Sequence, residues 1–214
     1  MQTTRTKYPR TYHLSWSEGI TDDDHFIGSL EAFNGQRVIV TEKMDGENTT
    51  LYQDYSHARS LDSRHHPSRD WVKQFWGKIR TDIPKNWRIC GENLYAKHSI
   101  HYQQLPSYFM GFSMWDENNI CLGWDETLDW FKLIGITPVP VLYDGVFNEK
   151  LIKDLRNSIN PILQEGYVLR IAETITYEQF NQKVAKYVRK GHLQTTEDWS
   201  RGQIECNYLS CLNT

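Results

Sequence analysis

The chain has 214 residues, 39% of them hydrophobic and 24% charged, with a formal net charge of −3. That length supports one domain with its own core, without disulfide or metal staples. The near-neutral balance excludes a protein that grips polyanions over its whole surface, so any basic groove must be local. Aromatic residues make up 13%, which suits both large aromatic cores and the stacking of planar ligands.

Cys90, Cys121, Cys206 and Cys211 lie far apart except for one C-x4-C pair, and no spacing matches a zinc site. They read as reduced thiols of a cytoplasmic protein. The start, Met-Gln-Thr-Thr-Arg-Thr-Lys, has no apolar core, and no later run approaches a membrane span.

Residues 1–36 are polar and turn-rich and are expected to pack on a domain spanning 37–192. Asp22-Asp23-Asp24 reads as a solvated loop. Asn34-Gly35 marks a turn, and Arg37 to Lys43 reads as a strand whose hairpin partner runs from Asn48 to Gln53. A further strand is expected at His57-Ala-Arg59-Ser60.

From Arg59 to Arg80 the chain is at its most basic, with Arg64, His65, His66, Arg69, Lys73 and Lys78 between. Its second half predicts a helix capped by Ser68, with Trp71, Val72, Phe75, Trp76 and Ile79 on the core side. Strands follow at Trp87–Leu94 and between Pro106 and Trp115. Asp125 is the expected cap of a helix that Gly135 ends, and Val139–Tyr143 reads as a short strand. Asn148 is placed to cap a helix with Leu151, Ile152, Leu155 and Ile159 on its apolar face. Glu165 opens a strand to Arg170, and Lys183–Lys190 reads as the last strand, before a tail from 193 to 214 with one short helical stretch. Strands outnumber helices without regular alternation, which predicts an α+β fold with largely antiparallel sheets.

Four features stand in order, each at a strand end: Lys43-Met-Asp-Gly46, Gly91-Glu92, Glu165-Gly166 and Lys186 on the last strand. Each alone is weak, and the ordered set is specific. The chemistry that needs this set is covalent nucleotidyl transfer, in which a lysine amine attacks the α-phosphate of a nucleoside triphosphate and expels pyrophosphate. The amine must be neutral, so its pKa is expected to fall from about 10.4 under the influence of nearby cations, Lys186 first. Glu165 is the natural carboxylate anchor for a divalent ion.

On these residues the sequence resembles the nucleotidyltransferase domain of covalent polynucleotide ligases, most closely the RNA ligase 2-type family. The resemblance rests on Lys43, Gly46 and Asn48 in the first motif, His57-Ala-Arg59-Ser60 with Arg64 as alternative in the next, and Gly91-Glu92. Glu165-Gly-Tyr-Val-Leu-Arg170 and Lys186 continue it. It implies an ATP-grasp-like ligase domain flanked by helices, with nucleotide contacts from Glu42, Asn48, Arg59, Glu92, Arg170 and Lys186. It also implies an adenine-stacking aromatic at Phe112, with Trp115 as alternative. By period two Phe112 shares a face with Met114 and Asp116, and Trp115 points the other way, so only one can stack.

The implied activity is ATP-dependent sealing of RNA bearing 5′-phosphate and 3′-hydroxyl ends, with Mg²⁺ or Mn²⁺. Capping-type guanylyltransfer, DNA nick sealing and non-catalytic RNA-end binding are the alternatives. Arg64, Arg69, Arg189 and Lys190 are expected to touch RNA. The family's fifth motif has a second lysine where this chain has Val188. Arg189 falls on the opposite face from Lys186, and Lys190 on the same face. No appended C-terminal domain is expected, the chain is expected to be a monomer, and an accessory protein is a candidate source of extra grip on RNA.

Overall fold

The β-branched and aromatic runs form two sheets that face each other, in a computed structural model that describes residues 5–191 and 204–210. The strands are β1 (Tyr12–His13), β2 (Arg37–Lys43), β3 (Glu47–Tyr52), β4 (Ser56–Ala58), β5 (Arg88–Asn93) and β6 (Phe109–Trp115). They continue as β7 (Ile120–Cys121), β8 (Thr137–Pro138), β9 (Val141–Val146), β10 (Gly166–Ile171), β11 (Ile175–Thr176) and β12 (Val184–Val188). The helices are α1 (Asp70–Ile79), α2 (Trp124–Ile134), α3 (Glu149–Asp154) and α4 (Phe180–Lys183).

One sheet has the order β1-β12-β10-β2-β9, and the other β11-β7-β6-β5-β3-β4 with β8 beside β6. Pairing is antiparallel except for β1 on β12 and β8 on β6. This is the α+β class expected from the strand-rich pattern. Helices α1 and α2 cover the outer face of the second sheet, where Val72, Ile79, Phe131 and Ile134 meet Leu51, Ile89, Phe109 and Met114. The aromatic stripe of α1 packs into that core, with Trp71 and Phe75 stacked at 5.4 Å. Among the described residues no helix is long and apolar enough to cross a membrane. Cys90, Cys121 and Cys206 are free thiols.

The main correction concerns the hairpin read at Lys43. Strands β2 and β3 do not pair: β2 lies between β10 and β9, and β3 between β5 and β4. The turn Met44-Asp45-Gly46 is where the chain leaves one sheet for the other. A strand–turn–strand pattern looks the same in both cases, because the alternation of side chains says nothing about which strand takes the hydrogen bonds. Gly46 allows the switch, since a Cβ there would stand 2.5 Å from the Asn93 carbonyl oxygen.

Several boundaries also move. Arg69, not Ser68, is the N-cap of α1; Ser68 is buried in a 3₁₀ turn (Pro67–Arg69) that the His66 side chain caps. Gly123, not Asp125, precedes α2, although Gly135 ends it in the left-handed conformation as expected. Asn148 caps α3 through the Leu151 amide, but Leu151 itself is exposed and only Ile152 is fully buried. The strand expected to stop at Tyr143 runs on through Asp144-Gly145 to Val146. It pairs with β2 along its length there, and Arg37 holds Asp144 at 2.7 Å. Strand β12 is shorter than expected: Lys183 ends α4, and Arg189 and Lys190 lie beyond Val188. The tail's expected helix falls largely outside the described residues, as does Cys211; the described piece, 204–210, is extended and bridges Cys206 to Ala96 and Leu209 to Leu105.

Gly166 opens β10 opposite Val188 of the neighbouring β12, and a Cβ there would lie 1.9 Å from the Tyr187 carbonyl oxygen. The Gly166→Ala variant is therefore expected to lose about 2 kcal/mol or more of stability through forced separation of those strands. Gly77 lies exposed in α1 with open space around it, so Gly77→Ala should gain roughly 0.5–1 kcal/mol from helix propensity. Urea melts of the two variants check both directions at once.

Candidate active site

The turn from β2 to β3 places Lys43 at the seam of the two sheets, and the cleft between them holds a cavity of about 670 Å³. The first sheet contributes Glu42, Lys43, Glu165, Val168, Arg170 and Lys186 to its lining, and the second contributes Asn48, Glu92, Phe112 and Ser113. Arg59, just after β4, also lines it. Residues separated by more than a hundred positions thus share one cavity because β10 pairs with both β2 and β12: Gly166 faces Lys43 on one side and Val188 on the other.

The turn is locked from below. Asp45 is buried and accepts hydrogen bonds at one oxygen from the Ser99 amide (2.9 Å), the Ser99 hydroxyl (2.6 Å) and the Ile100 amide (2.8 Å). Its own amide donates to the Tyr102 hydroxyl at 2.9 Å. Asp45 therefore acts on the backbone that aims Lys43.

Lys43 Nζ lies 2.5 Å from Glu165 Oε2, whose side chain is only 7% exposed. Burial alone would lower the Lys43 pKa, but Glu165, Glu92 and Asp45 together outweigh it and raise it. In the ligand-free cleft the carboxyl groups of Glu165, Glu92 and Asp45 thus hold the amine as an ammonium, and the depression expected from Lys186 and a metal ion together does not arise from the protein's own groups. Glu92 carries the cost of that crowding. Burial, offset in part by Lys43 and reinforced by Glu165, Asp45 and Glu47, pushes its carboxyl up to about 8. Burial likewise raises Glu42, which accepts from Gln164 Nε2 at 2.9 Å.

Lys186 is half-buried, and burial, helped by Lys43, lowers its pKa, while Asp24 opposes the shift. Its Nζ lies 3.5 Å from Asp24 Oδ1. Asp24 also accepts from the Thr21 amide and hydroxyl, both at 3.0 Å. Burial works against its carboxylate, but these bonds and Lys186 hold its pKa down to about 2. Of the acidic triplet, Asp22 and Asp23 are exposed as expected, and Asp24 is a partner of the site. Behind it His13 is buried, with Nδ1 2.7 Å from Ser17 Oγ and Nε2 3.2 Å from Asp24. Burial and then Lys186 push His13 down to about 4, so it is neutral at physiological pH. These N-terminal residues carried no motif; only the parallel pairing of β1 with β12, with His13 opposite Lys186, brings them here.

Asn48 Oδ1 is buried at the cavity with no hydrogen-bond partner among the described residues. A buried acceptor left unsatisfied points to a ligand donor that would complete it. The Arg59 guanidinium is exposed beside the cavity, and no side chain among the described residues bonds it. Arg170 is buried at the inner end, donating to the carbonyls of Ile171 (3.0 Å) and Leu122 (2.8 Å) and lying 5.7 Å over Trp124.

A β-bulge separates the surroundings of Phe112 and Trp115. Gly111 pairs with Gly91 and Ser113 with Cys90, which leaves Phe112 as the extra residue on β6. The bulge resets the alternation, so Met114 turns to the helix-covered core, and Trp115 falls with Phe112 rather than opposite it. Trp115 is fully buried under Tyr8, Tyr177 and Phe180, with Arg88 4.5 Å above its ring. Phe112 is half-buried and faces the cavity.

The expected RNA-contact residues do not line the cavity. Arg69 forms a two-point ion pair with Glu47 and donates to the Arg64 carbonyl, so its charge is already matched. Arg64 and Lys190 are exposed. Arg189 donates to the carbonyls of Gln164 (2.9 Å) and Lys190 (3.2 Å). Val188, in the slot of the absent second lysine, is buried. His65 and His66 hold Asp70 and Ser68 and form no metal site. Among the described residues no cluster of three or more His, Cys, Asp or Glu could hold a metal by itself.

The family model for RNA ligase matches residues 36–188. Among solved structures, the Naegleria gruberi RNA ligase with PPi superposes with a TM-score of 0.54 at 18% identity, covering 88% of this chain and 60% of that one. A lysine mutant of the same ligase with ATP and Mn gives 0.53 at 16%, covering 88% and 61%. A glutamate mutant with ATP and Mn gives 0.52 at 17%, covering 76% and 52%. These likenesses establish the fold, and the chain spans between about half and three-fifths of the length of those structures. Among curated proteins none matches the sequence.

Replacing Asp45 with Ala would leave the buried Ile100 amide and the part-buried Ser99 amide and hydroxyl without their acceptor. The variant is expected to lose about 1–3 kcal/mol in chemical denaturation. Asp45→Asn should lose less, because its side-chain oxygen still accepts.

Proposed function

Because the chain belongs to the RNA ligase family, we propose that it is an ATP-dependent RNA ligase working through a lysine–AMP intermediate on Lys43. The observation that carries this reading is the convergence of Lys43, Glu92, Glu165, Lys186, Asn48 and Phe112 on one cavity. In the first step Lys43 Nζ attacks the α-phosphorus, the bond to the bridging oxygen of pyrophosphate breaks, and a P–N bond forms. AMP then passes to an RNA 5′-phosphate, and attack by a 3′-hydroxyl forms the phosphodiester and releases AMP.

Each side chain has a role that follows from its place. Phe112 offers its ring to the base, with Val168 also lining the cavity. Glu92, on the strand beside Asn48, can donate to or accept from a ribose hydroxyl, since its raised pKa leaves both forms accessible near neutral pH. Lys186 and Arg59 supply positive charge to phosphate oxygens, which is most of what phosphoryl-type transfer asks of a protein. The proton on Lys43 must leave before attack, and Glu165 Oε2 at 2.5 Å is the acceptor in contact with it.

A divalent cation, Mg²⁺ or Mn²⁺, fits this donor set: Glu165 offers a buried carboxylate beside the triphosphate position, and such ions are commonly held by one or two carboxylates plus phosphate oxygens. When bound, it would supply charge neutralisation at the phosphate oxygens. The RNA ends would approach over the exposed side of the cleft, where Arg59 lies; phosphate contacts of that kind position without reading sequence. The relatives' greater length makes an additional RNA-gripping part, in this protein or a partner, a component of the same proposal.

Incubation with α-labelled ATP and Mg²⁺ should leave label on the protein, mapping to the Lys43 peptide, with none on Lys43→Ala. Lys186→Ala is expected to slow labelling by about 10²–10³-fold. Label that persists in Lys43→Ala would refute the mechanism. Label with GTP in preference to ATP would point to guanylyltransfer, and RNA binding with no label at all would point to an end-binding module. Sealing of matched RNA and DNA nicks separates the two ligase classes.

A further inference from the structure

Tyr8 lies outside the family-matched region, which begins at residue 36, and yet its side chain lines the inner end of the cavity. The segment that carries it is fastened at both ends. Arg5 donates to Asp54 at 2.8 Å and lies over the rings of Tyr52 and Tyr55, and the Thr6 amide donates to the Tyr52 hydroxyl at 3.0 Å. These are groups of the second sheet and the turn after β3. Past Tyr8, Tyr12 and His13 pair with Ala185 and Lys186 of the first sheet. The Tyr177 hydroxyl donates to the Lys7 carbonyl at 3.2 Å, between the two anchors. Residues 5–13 therefore strap the two sheets together across the end of the cleft, with Tyr8 pointing inward.

The ring of Tyr8 meets Phe112 edge-on, with centroids 5.1 Å apart, and meets Phe180 at 5.2 Å. It touches the aromatic that faces the cavity and leaves about 670 Å³ of space beside it. Its phenol reaches the region of Ser113, Cys121 and Arg170, and burial there raises its pKa well above the ordinary value, so it is a neutral donor.

The geometry points to Tyr8 as the end wall of the base pocket, a specificity-determining residue that limits which purine edge fits against Phe112. The inference rests on the nucleotide-binding reading of the cleft. An aromatic wall excludes bulk by contact and passes a base of the right length, and one misplaced group in such a pocket changes affinity by about tenfold or more.

Calorimetric binding of ATP, and of ATP analogues carrying a bulky group at C2, N6 or C8, tests this on wild type, Tyr8→Ala, Tyr8→Phe and Tyr8→Trp, with thermal melts to establish folding. Tyr8→Ala is expected to bind ATP about tenfold more weakly and to accept at least one bulky analogue that wild type refuses. Tyr8→Phe should match wild type in analogue selection, and Tyr8→Trp should weaken ATP by shortening the pocket. The Trp and Phe variants keep an aromatic in place and carry the test if Tyr8→Ala does not fold. Unchanged selection in all folded variants would overturn the wall. So would tighter ATP binding by Tyr8→Ala, which would mean the ring occupies the base's own space. Absence of ATP binding by wild type would overturn the proposal outright, whereas ATP binding without label on Lys43 would sink only the covalent mechanism.

Discussion

The architecture depends on one crossing of the chain. Between Lys43 and Glu47 the backbone leaves the first sheet and enters the second. That crossing is fixed by a carboxylate that takes three hydrogen bonds and by a glycine with no room for a side chain. A strand end that merely turned back on its neighbour would hold its lysine at a solvated edge. One that switches sheets holds it at the seam, where both inner faces reach it. Every other feature of the cleft is arranged around that position.

The electrostatics follow from the crowding. Two lysines and several carboxylates share a half-buried space, and the charges settle by pairing: Lys43 with Glu165, and Lys186 with Asp24. Burial raises the pKa of Glu92, which has Lys43 only in part and other carboxyl groups beside it. The free cleft is thus a set of ion pairs that a polyphosphate and its counter-ion would have to exchange, and much of the binding energy of such a ligand replaces contacts already present. Buried pairs of this kind contribute little net stability. Their value is that both partners are held in place before the ligand arrives.

The N-terminal segment shows how tertiary context makes site residues out of unremarkable sequence. Tyr8, His13 and Asp24 lie in a polar stretch without motif or periodicity. A two-residue strand, β1, joins them to the wall of the cleft. The β-bulge at Phe112 is a second case. A single unpaired residue reverses the facing of Met114 and Trp115, and no rule of alternation can anticipate where a ladder will skip. Strand β9 is a third. Its Asp-Gly pair looks like a turn, yet it continues as an edge strand because Arg37 grips Asp144 from the neighbouring strand.

The sequence by itself determined the strand-rich α+β class, the glycine and asparagine caps of two helices, and the ordered placing of Lys43, Glu92 and Glu165 at or near strand ends; Lys186 lies on the last strand as read, but at its middle. All of these rest on local chemistry: backbone propensity, turn residues and spacing along one strand. The tertiary structure alone decided that β2 and β3 part company, that Glu165 pairs with Lys43, that Arg69 is matched by Glu47, and that Tyr8 lines the cleft. Those outcomes depend on which distant strands pair and on how charges compete once water is excluded, and neither is written in the order of neighbouring residues.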